Sequence, residues 1–200
     1  ARDAGANGLL LVTPYYSRPP QSGLLAHFRA IAGAVDLPVI LYDIPIRTSR
    51  KIEHATLLKL AKVPNIIGVK DATSDIAGTA RLAADKPDDF TIWAGNDADL
   101  LPILAVGGYG VISVASHLIG LRLQELVATY LKGDAEGAAA INREITPLID
   151  ALFITSNPIP LKAALEMVGL PAGEPRLPLV PATDGERAQI RAVLQRVGLV

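Results

Sequence analysis

Ile66-Ile67-Gly68-Val69-Lys70-Asp71-Ala72-Thr73 is the stretch on which the reading of this chain turns. Four apolar or small residues follow one another without alternation, and then the chain becomes polar at once. A strand with one wet face alternates, whereas a run apolar on both sides belongs in a parallel sheet covered by helices. The runs 8–13, 38–42, 90–94 and 110–114 have the same character. Between them lie segments of helical composition near 22–35, 53–61, 75–84 and 99–105. Strand runs thus recur every ~20–30 residues, the rhythm of βα units.

Beyond the fifth run the rhythm changes to helix alone. Leu123, Leu126, Val127, Tyr130 and Leu131 make one apolar stripe at i, i+3, i+4, i+7, i+8 spacing. Gly133 then Asp134 read as a helix end followed by a new N-cap, which opens a second helix toward Phe153. A third is expected over 160–168. The last follows Thr183-Asp184-Gly185-Glu186, a Thr-x-x-Glu capping box, and runs to Val197. The Pro-rich stretch 171–181 is an extended connector.

Five βα units are too few to close a barrel of eight. An open doubly wound sheet would carry a glycine-rich phosphate loop after its first strand, but Pro14-Tyr15-Tyr16 stands there instead. The expectation is therefore an α/β fold in which residues 1–132 supply strands four to eight of a (β/α)₈ TIM barrel. Residues 133–200 form a C-terminal helical domain. The opening Ala1-Arg2-Asp3-Ala4-Gly5 looks like a helix tail and its turn, so three units are expected upstream.

Bulk properties narrow the chemistry. Half of the 200 residues are apolar, enough for a real core. No apolar run approaches the ~18–20 residues of a membrane span, and residues 1–8 lack the basic start and apolar stretch of a secretory signal. There is no cysteine, which removes disulfides and thiolate metal sites and fits a reducing cytoplasm. A formal charge of −1 offers no basic stripe for nucleic acid. His27, His54 and His117 lie in unrelated places, without the i, i+4 pairing of a zinc site. No Gly-x-Ser-x-Gly elbow is present. A small-molecule partner is what these absences leave.

In a barrel, functional groups come from the C-terminal strand ends. Here those ends are Thr13-Pro14-Tyr15-Tyr16, Tyr42-Asp43-Ile44-Pro45-Ile46-Arg47, Lys70-Asp71-Ala72-Thr73, Gly95-Asn96-Asp97 and Ser113. A lysine after a strand is most often a solvated loop residue. Lys70, however, closes Ile66–Val69 and would lie inside the barrel mouth, where desolvation lowers its pKa and makes a nucleophilic amine. Tyr42, at the neighbouring strand end, can relay protons while a carbinolamine and imine form. Arg47 is a fixed cationic fork suited to a carboxylate. Gly95 and Gly110 permit close backbone approach to a small ligand. Among barrel chemistries this leaves imine formation through Lys70.

The segments Val12-Thr13-Pro14-Tyr15-Tyr16, Leu41-Tyr42-Asp43-Ile44-Pro45-Ile46-Arg47-Thr48, Ile66-Ile67-Gly68-Val69-Lys70-Asp71-Ala72, Gly107-Gly108-Tyr109-Gly110-Val111-Ile112-Ser113-Val114 and Asn157-Pro158-Ile159-Pro160-Leu161-Lys162 resemble the dihydrodipicolinate synthase/N-acetylneuraminate lyase family. The resemblance implies a class I (lysine Schiff-base) lyase that condenses pyruvate with aspartate semialdehyde on the route to diaminopimelate and lysine. It implies Lys70 as the imine-forming lysine, Tyr42 as the proton relay, and Tyr16 as a tyrosine lent into a neighbouring subunit's site. Arg47 matches the arginine that grips the aldehyde partner's carboxylate, and Gly95 and Ile112 match positions lining the pyruvate pocket. It further implies a homotetramer built as a dimer of dimers, with neither metal nor organic cofactor, acting in the cytoplasm. A sugar-derived aldehyde, or keto-acid binding without turnover, are the other readings within reach. Ser49 departs from the family pattern, standing where a glycine often follows the Arg-Thr pair, and Ser156 departs likewise.

Overall fold

A computed structural model describes residues 1–170 and 172–200, in two compact units, Ala1–Ile112 and Ser113–Val200. Pro171, the first residue of the expected connector, lies outside the described residues.

The first unit is built on a parallel sheet of β1 (Leu9–Val12), β2 (Val39–Asp43), β3 (Ile66–Asp71), β4 (Thr91–Ala94) and β5 (Gly110–Val111). Its spatial order is β1-β2-β3-β4-β5, the order of the chain. A doubly wound sheet reverses its order at a switch point, and no reversal occurs here. The crossovers carry α1 (Gln21–Gly33), α3 (His54–Leu60), α4 (Ile76–Asp85) and α5 (Leu100–Ala105), while α2 (Pro45–Thr48) is a single turn directly after β2. That turn was not apparent from the sequence. Proline at its first position presets φ and lacks only an N–H that a first turn leaves unbonded anyway.

Strand alternation divides the sheet into two faces. Leu41, Val69 and Ile92 are register neighbours, all buried, and they pack with Leu24, Phe28, Leu57 and Leu60 from α1 and α3. Burying side chains of this size contributes about 1.5–3 kcal/mol each. Ile40, Tyr42, Lys70 and Trp93 occupy the opposite face and are only half-buried. Two-sided burial, expected from the uniformly apolar runs, is thus complete only where helices cover the sheet.

The second unit holds α6 (Ser116–Leu131, kinked at Ile119), α7 (Ala135–Ala151), α8 (Ile159–Met167) and α9 (Asp184–Arg196). The expected caps are in place. Asp134 accepts from the Gly137 N–H at 2.8 Å, and Thr183 with Glu186 forms a reciprocal capping box. Leu126, Leu148, Ala164, Ile190 and Leu194 supply the core. Among the described residues no helix is long and apolar enough to cross a membrane.

Candidate active site

Tyr42 and Lys70 are register partners on β2 and β3, so their side chains stand side by side on the half-buried face. The Lys70 Nζ lies 4.2 Å from the centroid of the Tyr42 ring. On the other side of Lys70 the register partner is Trp93. The Trp93 ring covers Gly68, where an added Cβ would lie 2.6 Å from Cζ3, and so floors the sheet one step below Lys70.

Electrostatics prepares both reactive groups. Burial holds the Lys70 pKa below its ordinary value because the ammonium loses hydration, and the buried carboxylate of Asp97 offsets part of that fall. More of the neutral amine is present at a given pH than on a solvated lysine. Burial raises the Tyr42 pKa, with the Arg47 guanidinium opposing. Tyr42 therefore keeps its proton at neutral pH, able both to donate and to accept.

The strand end bearing Tyr42 is clamped. Its carbonyl accepts from the Thr13 N–H and from the Thr13 hydroxyl, both at 3.0 Å, and Thr13 is fully buried. Gly95 continues the rim: its N–H donates to Asp71 O at 2.6 Å, and an added Cβ would lie 3.0 Å from both Ala72 N and Asp71 O. Ile112 is tied to β4 through its N–H, which donates to Ala94 O at 2.9 Å. Arg47 sits exposed on α2, close enough for its charge to act on Tyr42.

The fold therefore brings Tyr42, Lys70 and Arg47 to one rim, with Gly95 and Ile112 on the adjoining strand ends. It does not bring Tyr16 there. Tyr16 is 94% exposed with φ 60°, following Tyr15 at 69%. Asp43 and Asp71, which the strand-end reading grouped with the rim, face the helices instead and are buried. Thr13, Trp93 and Asp97 were given no role from the sequence. The signal for Thr13 and Asp97 was their place at strand ends, whereas that for Trp93 was its two-residue offset from Gly95.

Other places are less suited to chemistry. A cavity of about 320 Å³ in the second unit is lined by Lys162, Glu166 and Arg187. Three of its charges are engaged: Lys162 donates to the Ala172 and Gly173 carbonyls, and Arg187 pairs with Glu166 at 3.0 Å. Among the described residues no group of three or more His, Cys, Asp or Glu side chains is placed to hold a metal ion.

Comparison with known proteins adds to this geometry. The model of the dihydrodipicolinate synthetase family matches residues 1–197. The chain is 51% identical over 200 residues to the 4-hydroxy-tetrahydrodipicolinate synthase of Moorella thermoacetica, covering 100% of itself and 68% of that relative. Its structure superposes on dihydrodipicolinate synthase from Thermotoga maritima with a TM-score of 0.96 at 39% identity, over 100% of this chain and 69% of that one. The chloride-inhibited enzyme of Acinetobacter baumannii, complexed with pyruvate, gives 0.95 at 38%, over 100% and 68%.

Proposed function

The chain belongs to the dihydrodipicolinate synthetase family, and from that membership we propose that it condenses pyruvate with aspartate semialdehyde, as a class I lyase of lysine biosynthesis. The observation that carries the reading is the pairing of a lysine of lowered pKa with a neutral tyrosine at adjacent strand ends.

The chemistry follows from those two groups. The neutral amine of Lys70 adds to the keto carbon of pyruvate, forming a C–N bond. Tyr42 passes protons so that the former carbonyl oxygen leaves as water and the C=N bond of the imine remains. Loss of a methyl proton, passed through Tyr42, then gives an enamine, whose carbon attacks the aldehyde carbon of the second substrate while the aldehyde oxygen takes that proton. The second substrate's own amine then adds to the imine carbon and displaces the Lys70 amine. Arg47 holds that substrate's carboxylate by two parallel hydrogen bonds. Gly95 and Ile112 line the pyruvate pocket, and a side chain at Gly95 would lie 2.6 Å from the Ala72 Cβ. None of these steps asks for a cofactor.

The wider architecture belongs to the same proposal. The sequential parallel strands form an arc of a (β/α)₈ barrel, its strands four to eight, and the chain spans about two thirds of the length of the relatives it matches. Residues 1–132 are assigned to the barrel and 133–200 to a C-terminal helical domain. The compact division falls earlier, before α6. Counting α6 with the barrel rests on the βα alternation, in which it follows β5. Tyr16 serves a neighbouring subunit in a dimer of dimers, which its exposure supports, and the enzyme works in the cytoplasm.

Trapping decides the central assignment. Full-length protein incubated with pyruvate and reduced with borohydride should carry one pyruvyl adduct, on Lys70. An adduct on another lysine, or none, overturns the mechanism.

A further inference from the structure

Directly behind the Tyr42–Lys70 pair, on the helix-covered side of the sheet, the next residue of each strand is an aspartate. Asp43 and Asp71 are register partners, 2% and 8% exposed, and the reaction outlined above uses neither. Asp71 is fully satisfied. One oxygen accepts from the Thr73 N–H and hydroxyl at 2.9 and 2.7 Å, and the other accepts from the Thr79 hydroxyl at 2.7 Å. Asp43 differs. Its Oδ2 accepts from the Ile52 N–H at 3.1 Å, whereas its Oδ1 is buried without a hydrogen-bond partner. Both aspartates line an internal cavity of about 60 Å³ between the sheet and α3 and α4. A buried acceptor lacking a donor is costly, but a protonated carboxyl converts that oxygen into a donor.

We propose that Asp43 carries a proton where it lies beside Asp71 on the β2–β3 pair, and that this uncharged carboxyl positions Tyr42 and Lys70 for reaction. Two ionised carboxyls buried on neighbouring strands would repel each other, whereas one proton replaces that repulsion with attraction. The surrounding charges leave the balance near neutrality. Burial chiefly, and the Asp71 charge in addition, push Asp43 up to about 7 against the opposing Ile52 N–H and Lys51 ammonium. Lys51 is itself held by Asp75 at 2.6 Å, and His54 by Asp85 at 2.9 Å; Arg81 completes the charged lining. When Asp43 loses its proton, a second negative charge appears beside the strand ends. On this proposal that charge favours the unreactive ammonium of Lys70.

The positioning role rests on Lys70 being the imine-forming lysine; the proton on Asp43 does not. Infrared difference spectra of the full-length protein should show a carboxylic-acid carbonyl band that fades as pH rises through about 7. Asp43→Asn, which keeps the shape without the ionisation, should lack that fading at every pH. In Asp71→Asn the band should fade at lower pH, because the neighbouring charge is gone; this second variant serves should the first fail to fold. Kinetically, the ratio of kcat/KM for pyruvate in Asp43→Asn to that of the unaltered enzyme should rise roughly tenfold across neutrality, the effect of removing one nearby charge. Absence of the band below pH 7 overturns the protonated Asp43. A variant whose pH profile runs parallel to that of the unaltered enzyme overturns the positioning role. If borohydride leaves Lys70 unmarked, the proposed function falls and the positioning role with it, while the infrared band still decides the proton.

Discussion

In the proposed function, Arg47 is the residue on which substrate choice depends. It sits at the last turn of α2, exposed, with its charge felt at Tyr42. A charged hydrogen bond of this kind contributes about 1.5–3 kcal/mol, and every ~1.4 kcal/mol is a factor of ten. Arg47→Ala should therefore raise KM for aspartate semialdehyde roughly 10–100-fold. KM for pyruvate should move much less, because Lys70 holds that substrate covalently. Arg47→Lys should recover only part of the loss, since an ammonium keeps the charge without the fork. Steady-state kinetics varying each substrate checks this, and an unchanged semialdehyde KM in Arg47→Ala would remove the residue from the site. Lys70 and Tyr42 were legible in the sequence because each ends an apolar run at a polar step. The Asp43–Asp71 pair was not. In runs apolar on both sides, nothing in the letters says which face a terminal polar residue will take.

At the scale of elements, α2 shows how one turn aims a side chain. Pro45 starts it and Ser49 ends it with φ 55°, a left-handed conformation that costs an L-residue about 1–2 kcal/mol. The family resemblance expects glycine at this place, and the backbone gives the reason. Ser49→Gly should relieve the strain at some cost in unfolded-state entropy, a net gain of roughly 0.5–1 kcal/mol. Equilibrium denaturation with urea measures it; a destabilised variant would mean that the serine hydroxyl holds the turn. Gly68 is the complementary case. An added methyl would press on the Thr91 backbone and the Trp93 ring, so the bare backbone there is what admits the floor beside Lys70.

For the whole molecule, two outcomes are expected. Asp43 is raised from 3.8 to about 7, so the folded state binds its proton more tightly than the unfolded chain does. That contribution to stability is fully present below about pH 4 and is lost as pH rises through about 7, on the order of 4 kcal/mol in all. Asp75 acts oppositely. The hydrogen bond from Lys51, with the Gly78 N–H, lowers its pKa, so its contribution fades only as pH falls below the usual carboxylate range. Thermal unfolding should accordingly show a loss of Tm between about pH 4 and 7 that Asp43→Asn largely abolishes. A slope unchanged in the variant would assign it to other groups. The second outcome concerns assembly. Tyr42→Phe and Tyr16→Phe should each lower kcat by roughly 10²-fold, as for loss of a general acid/base. Mixing the two should restore activity if Tyr16 works in a neighbouring subunit. No recovery, despite demonstrated subunit exchange, would count against Tyr16 being shared between subunits.

By itself the sequence determined the order and kind of the major elements, since unbroken apolar runs, 3.6-residue stripes and the caps at Asp134 and Thr183 are local signals. It also determined the chemical candidates, because Lys70, Tyr42 and Arg47 each sit at a strand end or just beyond one. Tertiary structure decided what those candidates meet. The register of β2, β3 and β4 put Tyr42, Lys70 and Trp93 in one row and turned Asp43 and Asp71 to the helices. A one-residue slip would have exchanged the two faces. Burial, and with it the lowered pKa of Lys70 and the raised pKa of Asp43, follows from that register and from the helices packed behind it. Desolvation depends on atoms brought near from elsewhere in the chain, and no local pattern of residues carries it.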